Sequence, residues 1–546
     1  MSSLILQNIG MDGLVPEYWD ASFSNKKIGT SQMVAGIQVN PFIYPGFVMP
    51  TNSTFNTLNN VNQLAAARVM KNFVMVADGA ISGTQSSVYT GGGNKVHAIS
   101  VGGTIQNSGD WPHTINATSG THNGHTSEEI DDLTLYQLNG VPTLFYSYRD
   151  NTDGDLGKYG ELGNSPTFSA TEDVFSAATG GAVLNKNWEI ILSVADNGFM
   201  YVGNGNAINR FDGTLSGGAT GAVKLNAIDI DVNQKIVAMR DGLSKMWIAA
   251  IDGRNNAVTV GINKGYIYIW NKQSTSFNFD DVVPVEGVSK IYDIVFLDNI
   301  PYIITQSSTD NRIEIRVYSD GYFTKVIDVG GSTYFPNRNG IFKLLNGFGW
   351  VGQNGQVVFY GSVIPGQARG IHNIGSTPAA NNTLASSVIG SLNTIFVSYY
   401  NSLDSTVSIA SWKPLDTTGT ADQHSLYTKV EELPKLSRVK GITFFFKPTT
   451  NTINANLSTY IYKNFSSDTL NDPGTSTPTE LKINYQTDGA RGYKYFPLGG
   501  ENYENFNAIQ LAITYPIVYS GGAISLENTL KIYRIQIDYD PTEKIM

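Results

Sequence analysis

The stretch Gly265 to Asn271, GYIYIWN, followed at Ser274 to Asn278 by STSFN, decides how the chain is read. Its apolar residues alternate, close on Trp270 and give way to turn residues, so it is either one strand of an ordinary sheet or one copy of a repeated unit. The same order recurs along the chain. KVHAIS ends at Ser100, TLFYSYRD carries Tyr148 and NAINRFDG carries Phe211; after Trp270 come Tyr318 in RIEIRVYSDG, Tyr360 in GQVVFYG and Trp412 in TVSIASW. The intervals of 48, 63, 59, 48, 42 and 52 residues each leave room for four short strands with their turns. Seven anchors predict about seven blades.

Each later anchor follows another strand that ends in a turn. NGFMYVGNG leads into AINRFDG, KMWIAAIDGRNNAVTV into GYIYIW, NIPYIITQSSTDN into RIEIRVYSDG and GFGWVGQNG into QVVFYG. Asn-Gly, Asp-Gly and Asp-Asn tolerate the positive φ of tight hairpin turns. A radial array of such hairpins buries each sheet against its neighbours and leaves only short edges. The fold class expected is therefore all-β, with a β-propeller of about seven blades over residues 61–415. A β-sandwich does not explain seven units, and a β-helix needs shorter, stricter repeats.

At Asp416 to Ser425, DTTGTADQHS, alternation stops and a polar linker is expected. Beyond it RVKGITFFFKP, NLSTYIYKN, TELKINYQTD, NAIQLAITYPI and TLKIYRIQIDYD alternate more cleanly, which predicts a jelly-roll-like C-terminal β-sandwich over 426–546. Residues 1–60 fit neither block. NPFIYPGFVMPTNST holds three prolines and reads as an extended arm that either closes the propeller or reaches a neighbouring subunit.

Composition narrows the function. With 56 Gly, 29 Tyr, 25 Phe and 15% charged residues the texture is all-β, and a net charge of −10 with dispersed Lys and Arg offers no stripe for phosphates. Neither nucleic acid nor membrane insertion is expected as a partner. There is no cysteine, so disulfides and thiolate metal sites are excluded. The first twenty residues lack a basic n-region, and no apolar run approaches the ~20 residues of a membrane span, so synthesis in a cytoplasm is expected.

The densest titratable cluster is HTINATSGTHNGHTSEEIDD, with His113, His122, His125, Glu128, Glu129, Asp131 and Asp132; its spacing matches no zinc pattern, and it reads as a solvated inter-blade loop. RDNTDGDLGKYGE alternates Asp150, Asp153 and Asp155 with small residues. Its Leu156 and Leu162 stand where a calcium loop needs Gly and Glu, so it reads as an Asp-rich turn. ADNGFMY, with Asp196, Gly198 and Tyr201, resembles the Asp-box turn of sialidases, which is a structural element. Sialic acid chemistry needs converging arginines, and the twelve here are scattered. No nucleophile elbow or phosphate loop is present, and GNGNA near Gly203 lies between strands. The expectation is a protein that is not an enzyme, with no catalytic, cofactor-binding or metal residues and no cofactor.

The stretch from GYIYIWNKQ to DNIPYIIT, with KGITFFFKP, YIYKN and LGGENYENFNAIQLAITY, resembles virion proteins of tailed bacteriophages in which a β-propeller precedes a C-terminal β-sandwich. The resemblance runs from about Val74 onward. It implies a structural component of the virion, a tail or tail-tip/baseplate ring protein contributing to host attachment. Its partners would be other virion proteins, copies of itself in a symmetric assembly, and host surface glycan. The N-terminal arm and the C-terminal sandwich are expected to carry the assembly contacts. A carbohydrate-binding adhesin, a glycan-cleaving propeller enzyme and a cellular propeller scaffold are the alternatives.

Overall fold

The computed structural model describes residues 2–7, 33–36, 55–58, 72–75, 86–100, 113–115, 129–138, 141–159, 170–179, 181–212, 223–253, 264–273, 278–336, 338, 340–344, 346–353, 355–363, 369–377, 383–391, 394–401, 406–414, 424–428, 431–449, 454–463, 480–498, 506–515, 518–519, 522–523 and 529–541. Among the described residues there are seven four-stranded antiparallel sheets whose first strands begin at Asn72, Glu129, Ile190, Gln234, Val288, Phe342 and Thr383; the first six are paired in sequence order. They are the seven blades of a propeller, numbered here along the chain. Apolar clusters join each blade to the next from the first to the seventh, because strand alternation gives every sheet two faces to bury. The first strands of the seventh and first blades are in contact and close the ring.

The aromatic anchors explain the register between blades. Phe211, Trp270, Tyr318, Tyr360 and Trp412 all lie on the third strand of their blades, at or next to its end. Each packs on the preceding blade. Phe211 meets Phe145 with ring centroids 5.7 Å apart, Trp270 meets Tyr201 at 5.4 Å, Tyr318 meets Trp247 at 5.2 Å and Tyr360 meets Tyr302 at 5.9 Å. Trp412 lies so close to Gly375 that a Cβ there would come within 2.8 Å of the indole, so the glycine makes room for the ring. Such aromatic pairs add about 0.5–1.5 kcal/mol each beyond the area they bury. The two earliest anchors differ. Ser100 ends the third strand of the first blade without an aromatic, and Tyr148 lies on the second strand of the second blade, whose third strand is Gly154–Tyr159. Both strands carry a tyrosine at or next to their end, so the pattern alone does not separate them.

The last blade is completed from the other end of the chain. Its fourth strand is Phe55–Thr57, pairing Phe55 with Trp412 and Thr57 with Ala410. Two further segments of the expected arm are spent within the same chain: Ser2–Gln7 pairs residue for residue with Ile532–Pro541 and sinks Leu6 into the C-terminal core, while Met33–Gly36 pairs with His424–Thr428. Of the two readings of the arm, these described stretches follow the one in which it packs on its own chain, each as the edge strand of a sheet.

In the C-terminal unit one long strand, Glu431–Phe446, changes partners along its length within a nine-stranded sheet. Its start pairs with Phe506–Tyr515, and the remainder lies between Ile532–Pro541 and Tyr493–Pro497. The pairing shifts between Glu432 and Ser437, where Pro434 lacks a donor for the ladder. Val439, Ile442, Phe444 and Phe446 then face a core shared with Leu457, Ile461, Leu511 and Ile513 of the opposing strands. The expected linker lies outside the described residues up to 423, and His424 and Ser425 already belong to a strand. Among the described residues no helix is long and apolar enough to cross a membrane.

Candidate axial site

A propeller's first strands face an axis with no partner sheet, so side chains there either meet water or meet one another. Here they surround a cavity of about 410 Å³ lined by the second to sixth blades, among them Asp132, Ser193, Arg240, Asp241, Asp293 and Lys343. Strand pairing skips a residue between Ile130 and Asp132, between Ile236 and Ala238, and between Ile291 and Asp293. A one-residue bulge thus interrupts the first strand of three blades, and in two of them the residue after it is a buried aspartate.

Each aspartate is held by backbone and faces a guanidinium. Asp132 accepts from the Leu133 N–H at 2.9 Å and, across the blade boundary, from the Leu192 N–H at 3.0 Å. Asp293 accepts from the Ile294 N–H at 2.8 Å and from Arg240 Nη2 at 2.7 Å. Arg338, just before the first strand of the sixth blade, donates from Nη2 to the Asp131 carbonyl at 3.1 Å. It lies 3.6 Å from Glu189 and 4.0 Å from the Asp132 carboxylate. Lys343 opens onto the cavity, yet desolvation first and Arg240 second hold its ammonium below the usual lysine range. The cavity thus presents acceptors and cationic donors together, an arrangement suited to a ligand rich in hydroxyls.

Two ion networks fix the lining from behind. Arg149 donates from Nε and Nη2 to Asp131 at 2.5 and 2.7 Å, and Asp131 also accepts from the Ile190 N–H at 2.9 Å. Burial pushes the Asp131 carboxyl up, and the Arg149 hydrogen bonds oppose that shift. Buried Lys272 bridges Asp196 and Asp241, with 2.6 Å to Asp241, and the Asp196 N–H donates to Asp241 at 2.8 Å. Arg149→Ala strands the Asp131 charge and is expected to cost about 3–5 kcal/mol in urea unfolding, as breaking a buried pair does. Asp131→Asn in the same chain should restore part of the loss; no recovery would mean that Arg149 acts through packing alone.

The residues singled out in the sequence part company here. Asp131 and Asp132 belong to the first strand of the second blade, not to a loop, whereas His113 pairs with Glu172 at 3.3 Å on that blade's boundary with the first. His122, His125 and Glu128 lie outside the described residues. Asp150 accepts from the Thr152 and Asp153 N–H groups at 2.6 and 2.9 Å, and Asp155 accepts from Leu156 and Phe175 at 2.6 and 2.7 Å, so both carboxylates are engaged by backbone. The turn at Ala195 to Tyr201 joins the first two strands of the third blade, with Asn197 donating to the Tyr201 hydroxyl at 2.8 Å. The axial set of Asp132, Asp293, Arg240, Arg338 and Lys343 was not expected.

Neither a protein-family model nor a curated protein matches the chain. Solved structures do. The exo-β-1,3-galactanase of Phanerochaete chrysosporium is 9% identical over 89% of this chain and 99% of its own, with a TM-score of 0.31. The sialidase of Trypanosoma rangeli is 9% identical over 88% of this chain and 96% of its own, at 0.35. An ancestral GH74 enzyme is 12% identical over 67% of this chain and 51% of its own, at 0.41. The expectation that the chain is not an enzyme is corrected only this far: solved structures similar to it include a galactanase, a sialidase and a GH74 enzyme, alongside the Raptor of Chaetomium thermophilum, 9% identical over 65% of this chain at a TM-score of 0.36. The physical reason lies on the axis. A propeller assembles charged groups from separate blades, so the lack of a linear motif was no ground for excluding catalysis.

Proposed function

We propose that this protein acts on glycans, with the axial cavity receiving a saccharide and Asp132 and Asp293 forming the carboxylate pair of a hydrolase. The observation that carries the reading is the recurrence of a buried aspartate after the same bulge in the second and fifth blades, each beside a guanidinium, on one cavity. A cavity of this size lies within the usual range for small ligands. In hydrolysis Asp293, held by Arg240, takes the base role: it accepts a proton from the water whose oxygen joins the anomeric carbon as the glycosidic bond breaks, and the glycosidic oxygen leaves with a proton from solvent. Asp132, kept ionised by its two backbone donors, faces the positive charge that develops at that carbon.

Purified protein incubated with a panel of bacterial envelope and plant-type polysaccharides should release oligosaccharide. Asp293→Asn and Asp132→Asn should each lower that rate at least about 100-fold, the range of general acid–base catalysis, when assayed at a temperature where circular dichroism shows the variant folded, because each substitution also removes a buried charge that faces a guanidinium. Release that persists in both variants would place the chemistry elsewhere, and absence of both binding and release across the panel would remove the reading.

A virion role is compatible with the same site and is supported by the resemblance of 265–305 and 440–515 to tailed-phage proteins. A tail protein that meets a surface glycan would use a saccharide site for attachment. Mass spectrometry of purified virions tests it, and absence of the chain from particles would end it.

A further inference from the structure

The C-terminal unit turns one sheet face outward with rings on it. Tyr493 and Tyr495 alternate with inward-facing Lys494 and Phe496 on an edge strand, and they are 55% and 45% exposed. Pairing carries their rows across the sheet: Tyr493 stands beside Phe445 and Arg534, Tyr495 beside Thr443, Gln536 and Ile5. Tyr533, 41% exposed, lies 6.4 Å from Phe445. Tyr495 is not free to stand off the sheet. A Cβ on Gly441 would fall 2.4–2.6 Å from its ring, so the ring is laid down against the neighbouring backbone with one face left to solvent.

Beside the rings runs a ladder of planar polar groups. Arg534 Nη2 donates to Gln536 Oε1 at 2.7 Å, Gln536 Nε2 donates to Asp538 Oδ1 at 2.9 Å, and Ser3 Oγ donates to the same oxygen at 2.6 Å. The Arg534 guanidinium sits 5.0 Å above the Phe445 ring, and its Nε is buried without a hydrogen-bond partner among the described residues. One cation and one anion make the ladder close to neutral, which disfavours a polyanion. Burying tyrosines beside a hydrogen-bonded ladder also suits a ligand that is apolar on one side and polar at its rim.

From this geometry we infer a second saccharide site, in which Tyr493 and Tyr495 stack on the C–H faces of a glycan chain while Gln536, Asp538 and Arg534 take its hydroxyls. Four strands at about 4.8 Å spacing give a platform about 14 Å wide, long enough for a short oligosaccharide. The class of ligand is shared with the reading of the axial cavity, but the site has no acid–base pair and holds rather than cleaves. Its effect would be to keep the axial cavity near polymeric substrate.

Affinity electrophoresis of the full chain through gels containing soluble xylan, β-glucan, galactan or purified lipopolysaccharide tests the inference. At least one polymer should retard the parent, and Tyr495→Ala and Tyr493→Ala should each weaken retardation about 10-fold or more, a loss of about 1.4 kcal/mol. Tyr495→Trp should keep it. Asp293→Asn should leave retardation in place, which separates failure of this site from failure of the axial one. Retardation unchanged in both alanine variants overturns the inference, as does a change confined to oligomeric state in size-exclusion chromatography, which would assign the face to a second copy of the chain.

Discussion

A chain lacking residues 1–58 is expected to melt at least about 10 °C below the intact protein, because it loses the edge strand of the sandwich, the strand on His424–Thr428 and the strand that closes the ring. Burial of Leu6 alone is worth about 2–5 kcal/mol by comparison with core truncations, and ~1 kcal/mol moves the melting point of a large domain by about 2–4 °C. Removing 1–50 instead keeps Phe55–Thr57, so the propeller should melt nearly as before while the sandwich transition falls. Differential scanning calorimetry of both truncations reads the two units separately. Unchanged melting in the longer truncation would mean that these pairings contribute nothing.

Acid should weaken the propeller sharply between about pH 6.5 and pH 3. His97, on the third strand of the first blade, is buried with neither ring nitrogen bonded among the described residues, and burial first and Lys95 second lower its pKa to about 4. His372, on the fourth strand of the sixth blade, is lowered by burial to about 3. A base whose folded pKa is depressed binds its proton more readily in the unfolded chain. Stability is therefore complete above about 6.5 and is lost as the pH falls, down to about 4 for His97 and about 3 for His372. At about 1.4 kcal/mol per pH unit, His97 accounts for roughly 3 kcal/mol and His372 for somewhat more. Asp155, pushed by burial up to about 6, works the other way over its own window, so the measurement compares variants with the parent. His97→Gln should flatten the pH dependence of urea unfolding between pH 6.5 and 4. An identical slope in the variant would rule the histidine out as its cause.

What was legible in the sequence followed from local pattern. Trp270 and Phe211 could be read as repeat anchors because a third strand ends on the ring that packs backward into the previous blade. Tyr148 misled because a second strand can end the same way. The axial pair was out of reach of any linear motif: Asp132 and Asp293 lie on different blades and meet one cavity only after the ring has formed. A faint signal existed in Ile130-Asp131-Asp132 and Ile291-Tyr292-Asp293, each near the start of a blade's first strand. Ile236-Val237-Ala238 has the same frame without the acid, which is why the frame alone says bulge and not site. The partners of the N-terminal strands were unreadable for another reason. Edge pairing depends on which strand is left open elsewhere, and that is a property of the finished fold.

The strand that closes the ring is also the first part of the propeller to leave the ribosome. Thr57 must wait for Ala410, about 350 residues later, which at ~5–20 residues per second is a delay of roughly 20–70 s. Through that interval six blades are being added to a ring that has no seal, and each newest blade shows the nascent chain's surroundings an uncovered apolar face. A propeller sealed this way is therefore most vulnerable while it is being made: chaperones or slow translation would change its yield more than its final stability.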